Sequence, residues 1–218
     1  LDYSALTAGA FDMTIAPLLN LYNSSFSETG GAPPREQIQR ALVLVGSERV
    51  QVGPGEIAFE KAGMAVTLDG IAKGYIVDRA VEVLRKRGAA RVLVNAGGDM
   101  ASAGEALEGD AWRIGLQDPR VPDGNLGVVR LRGESVATSG DYMQYLTADM
   151  SLHHILDPRT GSSPTHTSGV SVVAPSAMAA DALSTAALVL GPQEGMELLD
   201  RLEGVEGMIV AKDQTVLR

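Results

Sequence analysis

The chain has 218 residues, 45% hydrophobic and 21% charged, enough apolar content to bury a core as one large domain or two small ones. Twenty-seven acidic residues against 18 basic ones leave a net charge of −9 with no basic patch, which argues against a nucleic-acid partner. Cysteine is absent, so disulfides, thiolate metal sites and a cysteine nucleophile are excluded. The longest apolar stretch, Ala182 to Gly191, falls short of the ~18 residues a membrane span needs, and no transmembrane segment is expected. The first residue is Leu1, and the expectation is a mature or shortened chain whose targeting segment is missing.

Gly30 to Pro34 reads as a loop, and Pro34 opens a helix over Arg35 to Leu44, because proline at the first helical position lacks only a donor that would go unpaired. Short strands are predicted over Arg49 to Val52 and Glu56 to Glu60. Asp69 precedes a helix from Gly70 to Arg87, with Ile71, Tyr75, Ile76, Ala80, Val83 and Leu84 as its apolar stripe and Gly88 as its stop. Arg91 to Asn95 is a strand ending in the tight Asn95-Ala96-Gly97-Gly98-Asp99 turn. Strands follow at Trp112 to Gln117, Gly127 to Leu131 and Ser135 to Thr138, then a histidine segment, then a β-branched strand at Gly169 to Ala174. An Ala-rich helix covers Ala177 to Leu190, Gly191-Pro192 ends it, a second helix covers Glu194 to Leu202, and Met208 to Ala211 with Thr215 to Leu217 form a closing hairpin. Consecutive strands without intervening helices favour α+β over a strictly parallel sheet.

Several segments carry chemistry. Asp69-Gly70-Ile71-Ala72-Lys73-Gly74 opens a helix whose free N–H groups, dipole and lysine suit an anion, with Gly70 and Gly74 leaving the backbone accessible. It also reads as a capped surface helix with a solvated lysine, and it is neither a Walker loop nor a dinucleotide fingerprint. Asp181 and Thr185 lie four apart on one helical face and offer two oxygens to a hard cation such as Mg²⁺; the alternative is an exposed Asp near the first turn. Thr138-Ser139-Gly140-Asp141-Tyr142 is a turn with hydroxyls and donors for an oxyanion, or a plain turn. All three histidines, His153, His154 and His166, fall within 14 residues. His153 and His154 are adjacent and face opposite ways in a strand, so at most one lines a given site; a lone histidine also reads as structural, and no zinc spacing surrounds them. Asp78, on the Lys73 helix, reads as an ordinary solvated carboxylate, with ligand contact or the capping of a core polar group as alternatives.

Six segments in order resemble the ApbE-type flavin transferases, the FAD:protein FMN transferase family, over nearly the whole chain. They are Gly9-Ala10-Phe11-Asp12-Met13-Thr14 with Pro17-Leu18, Leu68 through Asp78, Asn95 through Asp99, Thr138 through Tyr142, His154-Ile155-Leu156-Asp157-Pro158-Arg159-Thr160-Gly161, and Ala180 through Thr185. The resemblance implies one domain across 1–218, a mixed or antiparallel sheet flanked by helices, and a flavoprotein-type transferase that cleaves FAD with Mg²⁺. FMN would pass to a threonine or serine hydroxyl of an acceptor protein, with release of AMP. The resemblance puts His154 at the reacting centre and Asp181 and Thr185 on Mg²⁺ with the Gly70 carbonyl. It puts Lys73 and the Ser139-Gly140 turn on the phosphates, with Asp78, Asp99, Asp157 and Thr160 as further ligand contacts. It also implies an extracytoplasmic location, periplasmic or membrane-anchored. Family members usually carry a further N-terminal region where only about eight residues precede Gly9 here, so a shortened domain is expected.

In that reading His154 is the general base that makes a hydroxyl nucleophilic, while the metal and Lys73 stabilise charge on the phosphoryl and leaving groups. The competing expectations are an Mg²⁺-dependent FAD pyrophosphatase, with water in place of the protein hydroxyl, and a flavin-binding protein without catalysis.

Overall fold

The computed structural model describes residues 1–121 and 123–218. Its elements in chain order are α1 (Asp2–Leu6), α2 (Ala16–Thr29), α3 (Arg35–Leu42), β1 (Val50–Gly53), β2 (Glu56–Phe59), α4 (Ala72–Lys86), β3 (Val92–Ala96), β4 (Asp99–Ala103), β5 (Trp112–Gln117), β6 (Asn125–Leu131), β7 (Ser135–Gly140), β8 (Thr167–Ala174), α5 (Ala177–Leu190), α6 (Pro192–Asp200), β9 (Glu206–Ala211) and β10 (Val216–Leu217). Six strands form the main sheet in the order β10-β9-β8-β7-β4-β3, every pair antiparallel, and β1–β2 and β5–β6 are separate two-stranded ribbons. The fold is α+β, as expected.

Alternation along the strands sets two faces. Ala137, Val170, Val172 and Ala174 look toward α5 and α6, in one core with Ala180, Leu183, Ala187 and Leu199. Val136, Met208 and Met100 look the other way, onto Ile114, Leu116 and Leu131 of the β5–β6 ribbon. The small residues of α5 let it seat closely on the sheet, and ten of its 14 residues are buried. A separate cluster of Leu18, Tyr22, Val45 and Leu156 packs α2 and α3 against the loop after the histidines.

Four differences from the sequence reading stand out. The strand predicted to end at Thr138 runs on to Gly140, which pairs with Gly169, so Ser139 and Gly140 belong to a strand rather than a turn. The Asn95–Asp99 turn is the tip of a β-hairpin, with Gly97 at φ 60° and Gly98 at φ 103°, and β4 follows it directly. Helix α2 went unpredicted although Ile15, Leu18, Leu19, Tyr22 and Phe26 recur at helical spacing; Pro17 near its start is compatible with a first turn. Pro192 likewise starts α6 rather than only ending α5.

Candidate functional site

A cleft of about 680 Å³ opens between α2, the start of α4, the end of β7 and the segment carrying the histidines. Phe11, Leu19, Met143 and Tyr145 give it an apolar side, while Lys73, Asp181, Thr185 and His154 give it a charged one.

His154 sits on an irregular hairpin. Its backbone N–H donates to the Gln144 carbonyl at 2.9 Å, Leu146 N–H donates to Leu152 O at 2.7 Å, and Tyr145 bridges His153. The His154 Nδ1 lies 3.1 Å from the same Gln144 carbonyl. A carbonyl only accepts, so this contact assigns the proton to Nδ1 and leaves Nε2 with a free lone pair. The ring is solvent-exposed at the cleft wall. Desolvation by the cleft wall lowers its pKa, as does the charge of Lys73 to a smaller extent, against the raising effects of the Gln144 contact and Asp69. Alternation works as expected for the neighbour: His153 is fully buried, with Nε2 3.1 Å from the Pro164 carbonyl, and burial lowers its pKa too. His166 is an exposed loop residue.

Across the cleft, α4, β4, β7 and α5 bring together Lys73, Asp99, Ser139, Asp181 and Thr185. Asp99 points to the helix face of the sheet and is 1% exposed; Lys73 Nζ is 3.2 Å from its Oδ1, yet neither Asp99 oxygen accepts a hydrogen bond. Burial first, then the charge of Asp181, pushes the Asp99 carboxyl up to about 7, with Lys73 pulling the other way. Burial also raises the pKa of Asp181, whose Oδ2 accepts from Gly74 N–H at 3.1 Å. The hydroxyls beside them have a forced direction. Ser184 Oγ donates to the Asp181 carbonyl at 3.0 Å, so it accepts from Ser139 Oγ at 2.8 Å, and Ser139 in turn accepts from Thr185 Oγ1 at 3.2 Å. The lone pairs of Thr185 remain available to the cleft. Gly70 lies against this corner: a methyl there would be 3.4 Å from Thr185 Oγ1 and 3.2 Å from the Phe11 ring.

These residues fit a hard cation. The donors are all oxygen, two carboxylates with raised pKa values crowd one another, and the buried Asp99 carboxylate has only the Lys73 ammonium to offset its charge. Among the described residues no group of three or more His, Cys, Asp or Glu could hold a metal, so a cation here would draw its other ligands from hydroxyl, carbonyl and substrate oxygens.

The ApbE family model matches residues 1–209. The chain belongs to the ApbE family. It is 34% identical to the crystal structure of the ApbE protein from Thermotoga maritima, at a TM-score of 0.91 over 100% of this chain and 72% of that one. The flavinyl transferase ApbE of Pseudomonas stutzeri, in its apo form, is 32% identical at a TM-score of 0.83, over 99% of this chain and 68% of that one. A protein of Salmonella typhimurium named FAD:protein FMN transferase is 31% identical over 98% of this chain, which spans 63% of that relative's length.

Other residues singled out in this ApbE-family chain serve the framework. Asp78 accepts from the N–H groups of Ala177 at 2.8 Å and Met178 at 2.9 Å, capping α5; it is not among the residues lining the cleft. A side chain at Gly74 would overlap the Ala177 carbonyl, so this glycine serves helix packing rather than ligand approach. Gly140 lines the cleft from the strand and lies under the Tyr142 ring, which leaves no room for a side chain. Asp157 is held by Arg159, through Nε at 2.9 Å and Nη2 at 2.9 Å, and Thr160 Oγ1 accepts from Ser162 N–H at 3.3 Å. Both shape the loop behind His154, and neither lines the cleft, which only Pro158 reaches from that turn. Gln144 and Ser184 went unnoticed in the sequence: Gln144 acts through its backbone, and Ser184 stands inside the Asp181 to Thr185 span without a spacing of its own.

Proposed function

We propose that this chain, with Mg²⁺, moves the FMN part of FAD onto a threonine or serine hydroxyl of an acceptor protein and releases AMP. The observation that carries the reading is the tautomer of His154, with Nδ1–H bound to Gln144 and a free Nε2 on the wall of the cleft lined by Lys73, Asp181 and Thr185. His154 Nε2 takes the proton of the attacking hydroxyl; a phosphoester to that oxygen forms as the pyrophosphate bond breaks, and AMP leaves with the electron pair. The lowered pKa keeps His154 neutral and ready for this near pH 7. Lys73 faces the anionic substrate as a half-exposed cation. Asp181, Thr185 and the Gly70 carbonyl would hold Mg²⁺, with Asp99 beside them, and the ion when bound supplies positive charge against that developing on the phosphate oxygens.

The test is mass spectrometry of an acceptor protein after incubation with FAD, Mg²⁺ and this chain. A covalent FMN adduct on Thr or Ser is expected, and His154→Gly should reduce its rate by ~10²–10⁴-fold with FAD binding retained. FMN and AMP released equally fast without acceptor would make the chain a pyrophosphatase instead. Bound flavin with no AMP under any condition would make it a carrier.

A further inference from the structure

The hairpin that carries His154 is fastened from outside the cleft. Asp141, fully buried at its base, receives Arg120 bidentately, Nη1 to Oδ1 at 2.8 Å and Nη2 to Oδ2 at 2.5 Å, while its N–H donates to Ser168 O at 3.1 Å. Lys212, just past β9, also donates to Asp141 Oδ2, and the same ammonium donates to the Met150 carbonyl at 3.1 Å. Met150 occupies the hairpin turn at φ 57°, a left-handed conformation that a bulky side chain resists and that persists only where its surroundings hold it. Between these two anchors lies the segment whose Gln144 carbonyl receives both protons of His154.

We infer that Lys212 is a positioning residue for His154: by tying Asp141 at the base of the hairpin to Met150 at its turn, it fixes the Gln144 carbonyl and therefore the ring's tautomer and aim. Lys212 touches neither the cleft nor the reacting groups, and its own backbone is set by its N–H bond to His166 O at 3.0 Å. A lysine suits the task because one ammonium has three donors that can reach a carboxylate and a carbonyl lying in different directions. The catalytic part of this inference rests on the transfer reading above; the structural part does not.

The experiment compares the parent chain with Lys212→Met and Lys212→Arg on three readouts. These are the nitrogen shifts of the His154 ring, amide exchange at Leu146 and His154, and kcat and KM for FMN transfer. Lys212→Met should mix the His154 tautomers, speed exchange at both amides by roughly tenfold, and lower kcat by ~10-fold or more with KM for FAD within about twofold. Lys212→Arg should restore most of each. Adding Met150→Gly to Lys212→Met should also slow the exchange again, because glycine adopts the turn unaided. Parent-like ring shifts and exchange in Lys212→Met overturn the inference, as does a loss confined to KM. A parent chain that transfers no FMN defeats the functional reading alone, since the ring shifts and exchange still decide the role of Lys212.

Discussion

One carbonyl receives two protons, from the backbone and the ring of His154, and so leaves the Nε2 lone pair of an exposed histidine free. The corner around Asp181 shows similar economy: Thr185 offers lone pairs to the cleft because Ser139 takes its proton, and Ser139 does so because its own goes to Ser184. Asp181→Asn should therefore weaken Mg²⁺ or Mn²⁺ binding by at least ~10-fold, measured by calorimetry in the absence of flavin; unchanged affinity would move the cation elsewhere. The same residues show what was legible beforehand. Spacing put Asp181 and Thr185 on one helical face, and strand alternation separated His153 from His154. The part played by Gln144 was invisible, since a main-chain carbonyl carries no residue signature.

Helices α4 and α5 meet through contacts that spacing alone left ambiguous. Asp78 and Gly74 both looked available to ligand, yet one caps α5 and the other lets its backbone approach. Gly→Ala inside a helix ordinarily stabilises by about 0.5–1 kcal/mol. Gly74→Ala should do the opposite and cost about 1–3 kcal/mol through overpacking against Ala177, read as a lower denaturation midpoint. Asp78→Ala should cost about 1–2 kcal/mol by uncapping α5, again seen in chemical denaturation. Helix α5 spans the segment its alanine content indicates, with Gly191 as its stop, and the structure adds Ser176 as its N-cap. Strand β4 carries no clear pattern in the sequence because Asp99 reads as the end of a turn, and only the pairing of Ala96 with Asp99 reveals a hairpin there.

For the molecule as a whole, three layers are stacked, helices on the sheet and the β5–β6 ribbon beneath it, and the buried ion cluster at Asp141 ties loops from separate parts of the chain. Burial works to raise the Asp141 pKa, but hydrogen bonds from Arg120 and Lys212 outweigh it and hold the carboxyl below its ordinary value. A carboxylate depressed in the folded state contributes stability that is complete above its unfolded pKa, ~3.9, and is lost as pH falls through the folded value. Thermal midpoints should thus drop below about pH 4, and Asp141→Asn should flatten that acid limb while lowering stability at neutral pH by about 1.5–3 kcal/mol. An equally steep acid limb in the variant would assign it to other carboxylates.

The meeting of α4 with α5 also has a consequence for the order of events on the ribosome. The N–H of Gly74 waits 107 residues for the carboxylate of Asp181, and Asp78 waits 99 for the helix start it caps. Until that later stretch has been synthesised, Lys73 and Asp99 stand beside an unfinished corner, and a nascent chain halted before α5 lacks Asp181 and Thr185. The corner is accordingly completed late, after four of the six strands of the main sheet and before β9 and β10.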